Sequence, residues 1–385
     1  MRVALVHMRH ASIGGTELIL EKLSRELAAR GHEVTIVCRS HVEPAHPAIR
    51  FAVLRSPVIG SAWRMWAFAK AVERHVRESN YDMVCGLGKT WTHDVVRTGG
   101  GSHATYMERM RAVDSGKLRR SFKDSLSLRI ERRAFAPGAY RRVIANSNLV
   151  REDMCRRYAI PPDRIEVIYN GVDLERFHPR LKAQASALRK ELGAEPDDFV
   201  YLFLGKGFAR KGLARLLEAF ALLAKQHPRA QLWIAGRDSS QANYETRSKT
   251  LGLETRVLFL GERRDPERLL AACDVHVLPT HYDSFAFTVL ESLACGTPVI
   301  TTDAAGASEL VREPAAGLIL PGNCDATQLA AAMESWHDRE RVIAARAAAR
   351  ASAEPYGFDT TMTHMAELLE RVEREIRSGQ ASGSS

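Results

Sequence analysis

No run of about 18 apolar residues occurs in the 385-residue chain, which excludes a membrane-spanning helix. The opening segment Met1–His7 is too short and too soon interrupted for a signal peptide, so a cytoplasmic location is expected. Six cysteines, Cys38, Cys85, Cys155, Cys273, Cys295 and Cys324, are scattered, with no two within four positions. That spacing excludes a zinc knuckle, a CxxC redox pair and a dense disulfide framework, and leaves small core residues in a reducing compartment. No G-x-G-x-x-G fingerprint, Walker A loop or solenoid repeat is present, and aromatic residues make up only 7% of the chain. D-x-D is missing as well, so no pair of acids at that spacing stands ready to hold a diphosphate through Mg²⁺ or Mn²⁺.

What is present is ordinary in amount and uneven in place. Hydrophobic residues are 45% and charged residues 26%, typical of a globular chain. At roughly 150 residues per domain the length suggests two or three domains, each able to bury a core without metal or disulfide staples. The net charge is +9. Residues 109–142 carry eleven Lys/Arg against three Asp/Glu, a surplus of eight in one stretch. Such a stretch attracts an anionic membrane surface, a phosphorylated acceptor or nucleic acid. Leu118, Phe122, Leu126, Leu128 and Phe135 interleave with the charges, as in a helix lying on a lipid interface; a solvated helical face is the alternative.

The pattern is α/β, read twice. Arg2–Met8 predicts a strand, Thr16–Arg30 a helix with Leu18, Ile19, Leu23 and Leu27 at helical spacing, and Glu33–Cys38 a strand, which together make a βαβ unit with a glycine-rich first turn. Helix Trp63–Glu78 and strands Tyr81–Cys85, Arg142–Ala145 and Ile165–Ile168 continue it. Tyr169–Asp173 reads as a turn and domain boundary, and 178–197 as linker with a short helix. The alternation restarts at Phe199–Leu204, followed by helix Leu213–Gln226 and strands Gln231–Ala235, Val257–Leu260, Val275–Leu278, Pro298–Thr301 and Gly317–Leu320. Asp265-Pro266 predicts a capped helix start. The tail 378–385 is Gly/Ser-rich and expected to be disordered. In open parallel sheets ligands sit beyond the carboxyl ends of the strands, so the loops there are the candidates for function.

Four such loops stand out. Gly14-Gly15 precedes a helix N-terminus, where free N–H groups favour a phosphate or sugar hydroxyl, although a tight turn needs glycine anyway. Gly205–Gly212 (GKGFARKG) puts Arg210 and Lys211 at a helix start, where cations oppose the dipole and a diphosphate would meet a guanidinium fork, an ammonium and backbone donors; a solvated basic turn is the alternative. Asp283–Glu291 (DSFAFTVLE) carries two carboxylates eight positions apart, suited to ribose and sugar hydroxyls, or else a cap and an exposed acid. Thr98–His103 (TGGGSH) is a glycine cluster whose His103 can act near a reacting sugar, or is a surface histidine on a hinge.

GGTE at 14–17, RGHEVTIV at 30–37, ANS at 145–147, VIYNGVD at 167–173, GKGFARKG at 205–212, the D-x₇-E stretch at 283–291 and CGTPVITTD at 295–303 occur in one order along nearly the whole chain. The set resembles the retaining GT-B glycosyltransferases of family 4, and within them the lipopolysaccharide core heptose-glucosyltransferases, on the run GFARKGLARLLEAF and the basic region after GGGSH. The resemblance implies two Rossmann-like domains facing across a cleft: an acceptor domain at 1–170, a nucleotide-sugar donor domain at 171–350, and a helix at 351–377 crossing back. It implies that Arg210 and Lys211 grip the donor diphosphate, Glu291 the ribose and Asp283 the donor sugar. Phe285, Ala286, Gly14, Gly15 and Gly205 would lie against the donor and Arg263 near its base, with His103 matched loosely to a first-domain histidine. Two departures are visible: Asp283 stands where Glu is usual, and Phe285-Ala286 where Phe-Gly is usual. The implied activity is retaining, metal-independent transfer of a hexose, glucose from UDP-glucose, to a sugar hydroxyl of a lipid-linked glycan, by a peripheral enzyme on the inner face of the membrane held through 109–142. No cofactor and no nucleic-acid partner are expected. The alternatives are a non-catalytic nucleotide-sugar-binding protein of the same fold, a family 4 transferase for another acceptor, and two weaker readings. A nicotinamide oxidoreductase lacks its glycine fingerprint, and a nucleic-acid binder lacks aromatic stacking platforms.

Overall fold

The computed structural model describes residues 1–10, 14–42, 46–55, 60–113 and 119–382, the side chains as far as Gly379. Among them the chain divides into two compact units. The first holds Met1–Glu108, Gly116–Gly171 and Phe358–Ser385; the second holds Arg109–Ser115 and Val172–Gly357.

The first unit is built on β1 (Arg2–Val6), β2 (Glu33–Cys38), β3 (Ile49–Val53), β4 (Met83–Gly86), β5 (Val95–Arg97), β6 (Arg142–Ala145) and β7 (Ile165–Val167). They form one parallel sheet in the order β3-β2-β1-β4-β5-β6-β7. The second unit is built on β8 (Phe199–Leu204), β9 (Ala230–Ala235), β10 (Val257–Gly261), β11 (Val275–Leu278), β12 (Val299–Thr302) and β13 (Gly317–Leu320), parallel in the order β10-β9-β8-β11-β12-β13. All six residues of β8, FVYLFL, are buried, because helices cover both faces of a parallel sheet and the strand has no solvent side to keep polar. In each sheet the order reverses once, between β1 and β4 and between β8 and β11. The loops leaving those strands diverge there and open the crevice in which such folds bind ligands.

In the first unit the helix Gly15–Ala29 buries Ile19, Leu20, Leu23 and Leu27, the stripe that its 3.6-residue period predicts. The helix Phe358–Ser382 closes the same core with Met362, Met365, Leu368, Leu369 and Val372. Glu370 meets His32 at 2.9 Å and Glu375 accepts from Arg142 at 3.1 Å, fixing its rotation. This helix begins at Phe358, after a helix Arg339–Ala353 and a short turn that belong to the second unit. It continues to Ser382, so the first part of the 378–385 tail is helical and residues 383–385 lie outside the described residues.

Three sequence expectations change. The sequence pattern predicts no strand at β3 or β5: IRFAV is too short and too mixed in polarity to show a clear alternation, and β5 has only three residues, too few for any periodicity. Asp265 takes the N-cap position and Pro266 the first helical one, as expected, but the Asp265 side chain makes no cap hydrogen bond. Its carboxylate is held by Arg263 at 2.7 and 2.8 Å and by Arg268 at 3.3 Å, charge-assisted bonds stronger than one backbone cap. The basic stretch turns part of its apolar set inward: in the helix Phe122–Ala134, Leu126 and Ile130 join the core with Phe135, Leu128 is half-buried and Phe122 is exposed, while Leu118 lies outside the described residues. All six cysteines are free, and all but Cys155 are buried. Among the described residues no helix is long and apolar enough to cross a membrane.

Candidate functional site in the second unit

The loop after β8 and the loop after β11 leave the second sheet on either side of its reversal point. The first carries Arg210 and Lys211, the second Asp283, and the three side chains converge. Arg210 donates through Nη1 to Asp283 Oδ2 at 2.7 Å and to the Tyr282 carbonyl at 2.9 Å, and Lys211 Nζ donates to the same Oδ2 at 3.1 Å. Lys211 and Asp283 are nearly buried, with side-chain exposures of 7% and 14%; Arg210 keeps 27%.

Local folding explains the convergence. Lys211 lies in the turn before the helix Leu213–Gln226, and its backbone N–H donates to the Gly207 carbonyl. Gly205 has φ +152°, and a Cβ there would come within 2.6 Å of the Lys211 stem, so the glycine makes room for the lysine to turn inward. Across the reversal point, His281 N and Thr280 Oγ1 both donate to the Arg210 carbonyl, at 2.9 and 3.1 Å. Asp283 is gripped through its backbone by Ala304 and Gly306, at 2.9 and 3.0 Å, and its Oδ1 accepts from the Phe285 and Ala286 N–H groups, at 3.2 and 2.9 Å. Phe285 and Ala286 are therefore backbone positions beside the charged cluster. Ala286 sits at φ +69°, in the left-handed region that costs a non-glycine residue roughly 1–2 kcal/mol. The glycine usual in the family at that position has this physical reason.

The two acids have opposite electrostatics. Burial acts to raise the Asp283 pKa, but Lys211 and Arg210 outweigh it and hold the carboxyl well below the usual carboxylate range. Glu291 is one turn into the helix Phe287–Ala294. Burial pushes it up to about 7, against the attraction of Arg176 and Lys211 and with added repulsion from Glu267. Among the described residues its carboxylate accepts no hydrogen bond, which leaves both oxygens for a ligand's hydroxyls. Lys211 lies within the electrostatic reach of both acids and links them.

Raising a carboxyl's folded-state pKa makes its contribution to stability complete below about pH 4.5 and lost as pH rises through about 7. Glu291→Gln should therefore be more stable than the parent at pH 8, by up to about 3 kcal/mol. If Glu291 accepts from a ligand's ribose, affinity for UDP should strengthen by up to about tenfold per pH unit on approach to pH 7, and Glu291→Gln should flatten that part of the profile. Calorimetric titration from pH 5.5 to 8.5 on both proteins checks this, since titration of the ligand phosphate is common to the two. Parallel profiles would remove Glu291 from the site.

Sequence reasoning missed the supports. Arg215, buried on the helix behind the cluster, donates to the carbonyls of Pro279, Gly322 and Cys324 and so ties the loops after β11 and β13 together. Asp238, after β9, accepts from Phe208 N at 2.8 Å and anchors the Gly205–Gly212 loop. Neither residue belongs to a spacing that reads as chemistry. Arg263, matched to the base of the donor, is committed to Asp265.

Gly14, Gly15 and His103 belong to the first unit. Gly14 caps the first helix with φ +136°, and a Cβ there would strike the Glu17 carboxylate at 2.2 Å, so this helix N-terminus already faces an anion of its own. His103 borders a pocket of about 190 Å³ with Lys89, Arg97, Gly99 and Glu131. Its Nε2 meets Asp124 at 3.0 Å, its backbone N–H donates to Glu131 at 2.7 Å, and burial, reinforced by Lys89, lowers its pKa.

Family models match the chain in two consecutive blocks: glycosyltransferase family 4 at residues 13–176 and glycosyl transferases group 1 at 184–354. The chain is a GT-B glycosyltransferase of the family 4 type. A D-inositol 3-phosphate glycosyltransferase of Thermobispora bispora is 28% identical to this GT-B chain, over 96% of it and 93% of the relative. The lipopolysaccharide glucosyltransferase WaaG of Escherichia coli is 24% identical, over 83% and 85%. A crystal structure of WaaG, a glycosyltransferase involved in lipopolysaccharide biosynthesis, superimposes with a TM-score of 0.81 at 21% identity, covering 95% of this chain and 99% of that one. Anabaena HepE in complex with UDP-glucose superimposes at 0.72 and 20% identity, covering 96% and 100%. In this glycosyltransferase the Arg210–Lys211–Asp283 cluster and Glu291 lie within the block matched by the group 1 model.

Proposed function

We propose that the protein transfers a hexose, glucose from UDP-glucose, to a sugar hydroxyl of a lipid-linked glycan such as a lipopolysaccharide core, with retention at the anomeric carbon and without a metal. The observation that carries the reading is the convergence of Arg210 and Lys211 at the carboxyl end of the second sheet. Two cations against one carboxylate leave one positive charge unbalanced, and a diphosphate supplies the missing anion. UDP-glucose bound to HepE and the glucosyltransferase activity of WaaG support the donor.

In the proposed reaction the bond between the anomeric carbon and the diphosphate oxygen breaks, and that oxygen keeps the electron pair. Arg210 and Lys211 stabilise the charge as it develops, and such electrostatic stabilisation lowers the barrier more than any other effect at a site of this kind. The acceptor oxygen then bonds to the anomeric carbon on the same face, and its proton passes to the departing phosphate. Asp283, already locked by its two cations, orients them and faces the sugar hydroxyls; Glu291 takes the ribose. Arg263 can serve the base only by giving up part of its pairing with Asp265.

The acceptor side rests on the first unit. Around the helix Phe122–Ala134 the side chains of Arg119, Arg120, Lys123, Arg129, Arg132 and Arg133 are exposed. Phe122 and Trp63, 56% and 51% exposed, contact each other at 5.5 Å between ring centroids. An exposed aromatic pair rimmed by cations suits an anionic lipid interface, with the rings at headgroup depth.

Screening nucleotide-sugars for thermal stabilisation, then analysing products with a core-oligosaccharide acceptor, tests the reading. UDP-glucose should stabilise most, and the product should carry an α-linked glucose; an inverted linkage, or stabilisation only by another nucleotide, would overturn it. Sedimentation with anionic vesicles should be lost in a Trp63→Ala, Phe122→Ala double variant, and undiminished binding would remove the membrane surface from the proposal.

A further inference from the structure

We propose that the second unit carries a separate pocket for a small organic phosphate, between the segment 182–196 and the helix Arg339–Ala353. The pocket encloses about 630 Å³, within the usual range for small-molecule sites. None of Arg210, Lys211, Asp283 and Glu291 lines it.

Its walls follow from helical spacing. Arg339, Val342, Ile343 and Arg346 are three, one and three apart, so they share one face of their helix. Lys182, Ser186, Arg189 and Lys190 form the opposing face, on the turn Pro179–Gln184 and the helix Ala185–Glu191. Five cations thus line one concavity, against the carboxylates of Glu195 and Asp274.

The anions present do not serve the cations present. Asp274 pairs with Arg189 at 3.2 Å and also accepts from the Val200 N–H at 2.7 Å. Among the described residues Lys182, Lys190, Arg339 and Arg346 have no carboxylate within ion-pair distance. Arg346 is the sharpest case: its Nε is buried and finds no acceptor. Lys182 Nζ has a neutral partner, Thr297 Oγ1, at 2.8 Å. Burial, with a further contribution from Arg346, pulls the Lys182 pKa down to about 8. A buried guanidinium donor and a neighbouring ammonium, both lacking an anion, are a liability unless a ligand supplies one.

A phosphate monoester fits this deficit. Its oxygens accept from both an arginine fork and an ammonium. Val342, Pro196 and the 56% exposed Ile343 offer an apolar wall for the ester's organic part. The enclosed volume suits a small molecule better than a polymer strand.

The test uses 4-fluorophenyl phosphate, titrated into the full chain and followed by fluorine NMR, with 4-fluorophenol as the uncharged control. Binding of the phosphate at about 1 mM or tighter, without binding of the phenol, is expected. Arg346→Gln, which breaks no ion pair, should weaken binding by about tenfold or more while the melting temperature holds. A Lys211→Ala variant, which keeps the Arg210–Asp283 pair, should keep the affinity, because that lysine belongs to the other site. Unchanged affinity in Arg346→Gln, loss of binding in Lys211→Ala, or no saturation by about 10 mM would overturn the proposal.

Discussion

Replacing Lys211 with alanine should lower turnover by roughly 10²–10³-fold, the effect of removing one preorganised donor from a developing oxyanion. Lys211 is the inner member of the cluster, nearly buried and 3.1 Å from Asp283. A charge so placed is little screened by water, so its interaction with a leaving diphosphate is stronger than a surface lysine's. The fold should survive, because Asp283 keeps Arg210 at 2.7 Å and so is not left as an unpaired buried charge. Initial rates of glucose transfer, with a thermal melt on the same preparation, check both halves. A Lys211→Ala enzyme with parental turnover would mean that the lysine is only a structural partner of Asp283.

Asp283→Asn should have the opposite profile, a large loss of stability joined to tighter product binding. The carboxylate is the one anion shared by Arg210 and Lys211, and removing one member of a buried ion cluster costs about 3 kcal/mol or more. Asparagine preserves the Oδ1 acceptor for the Phe285 and Ala286 N–H groups, so the loss reports the charge and not the turn. Two uncompensated cations should bind UDP more tightly, and UDP should raise the melting temperature of the variant more than that of the parent. The pH dependence carries a definite sign. Because the folded-state pKa of Asp283 is depressed, its stabilisation is present above the unfolded value near 3.8 and is lost as pH falls below it. The stability gap between parent and variant should therefore narrow in acid. Denaturant unfolding at pH 7 and pH 3 measures it; a gap that stays constant would show that Asp283 is not held ionised by its neighbours.

These expectations rest on both kinds of information, and the division between them is physical. Local pattern along the chain is enough for the fold class, because a strand such as FVYLFL and a helix such as Leu213–Gln226 declare themselves by local period and by continuous apolar runs. It also determined the candidate loops, since GKGFARKG and DSFAFTVLE follow strands and are rich in residues that the strands and helices do not need. Spacing along the chain could not reveal contacts across it. That Asp283 neutralises Arg210 and Lys211 depends on β8 and β11 being neighbours in the sheet, a pairing of residues 72 and 73 positions apart. Arg215 and Asp238 act through carbonyls and N–H groups that carry no sequence signal. Tertiary structure also decided which of the apolar residues in the basic stretch are core and which are surface, because burial is settled by what packs against a helix. The opposite titration of two carboxylates eight positions apart has the same origin: one is enclosed with cations and the other without a hydrogen-bond donor, and only the folded chain sets those surroundings.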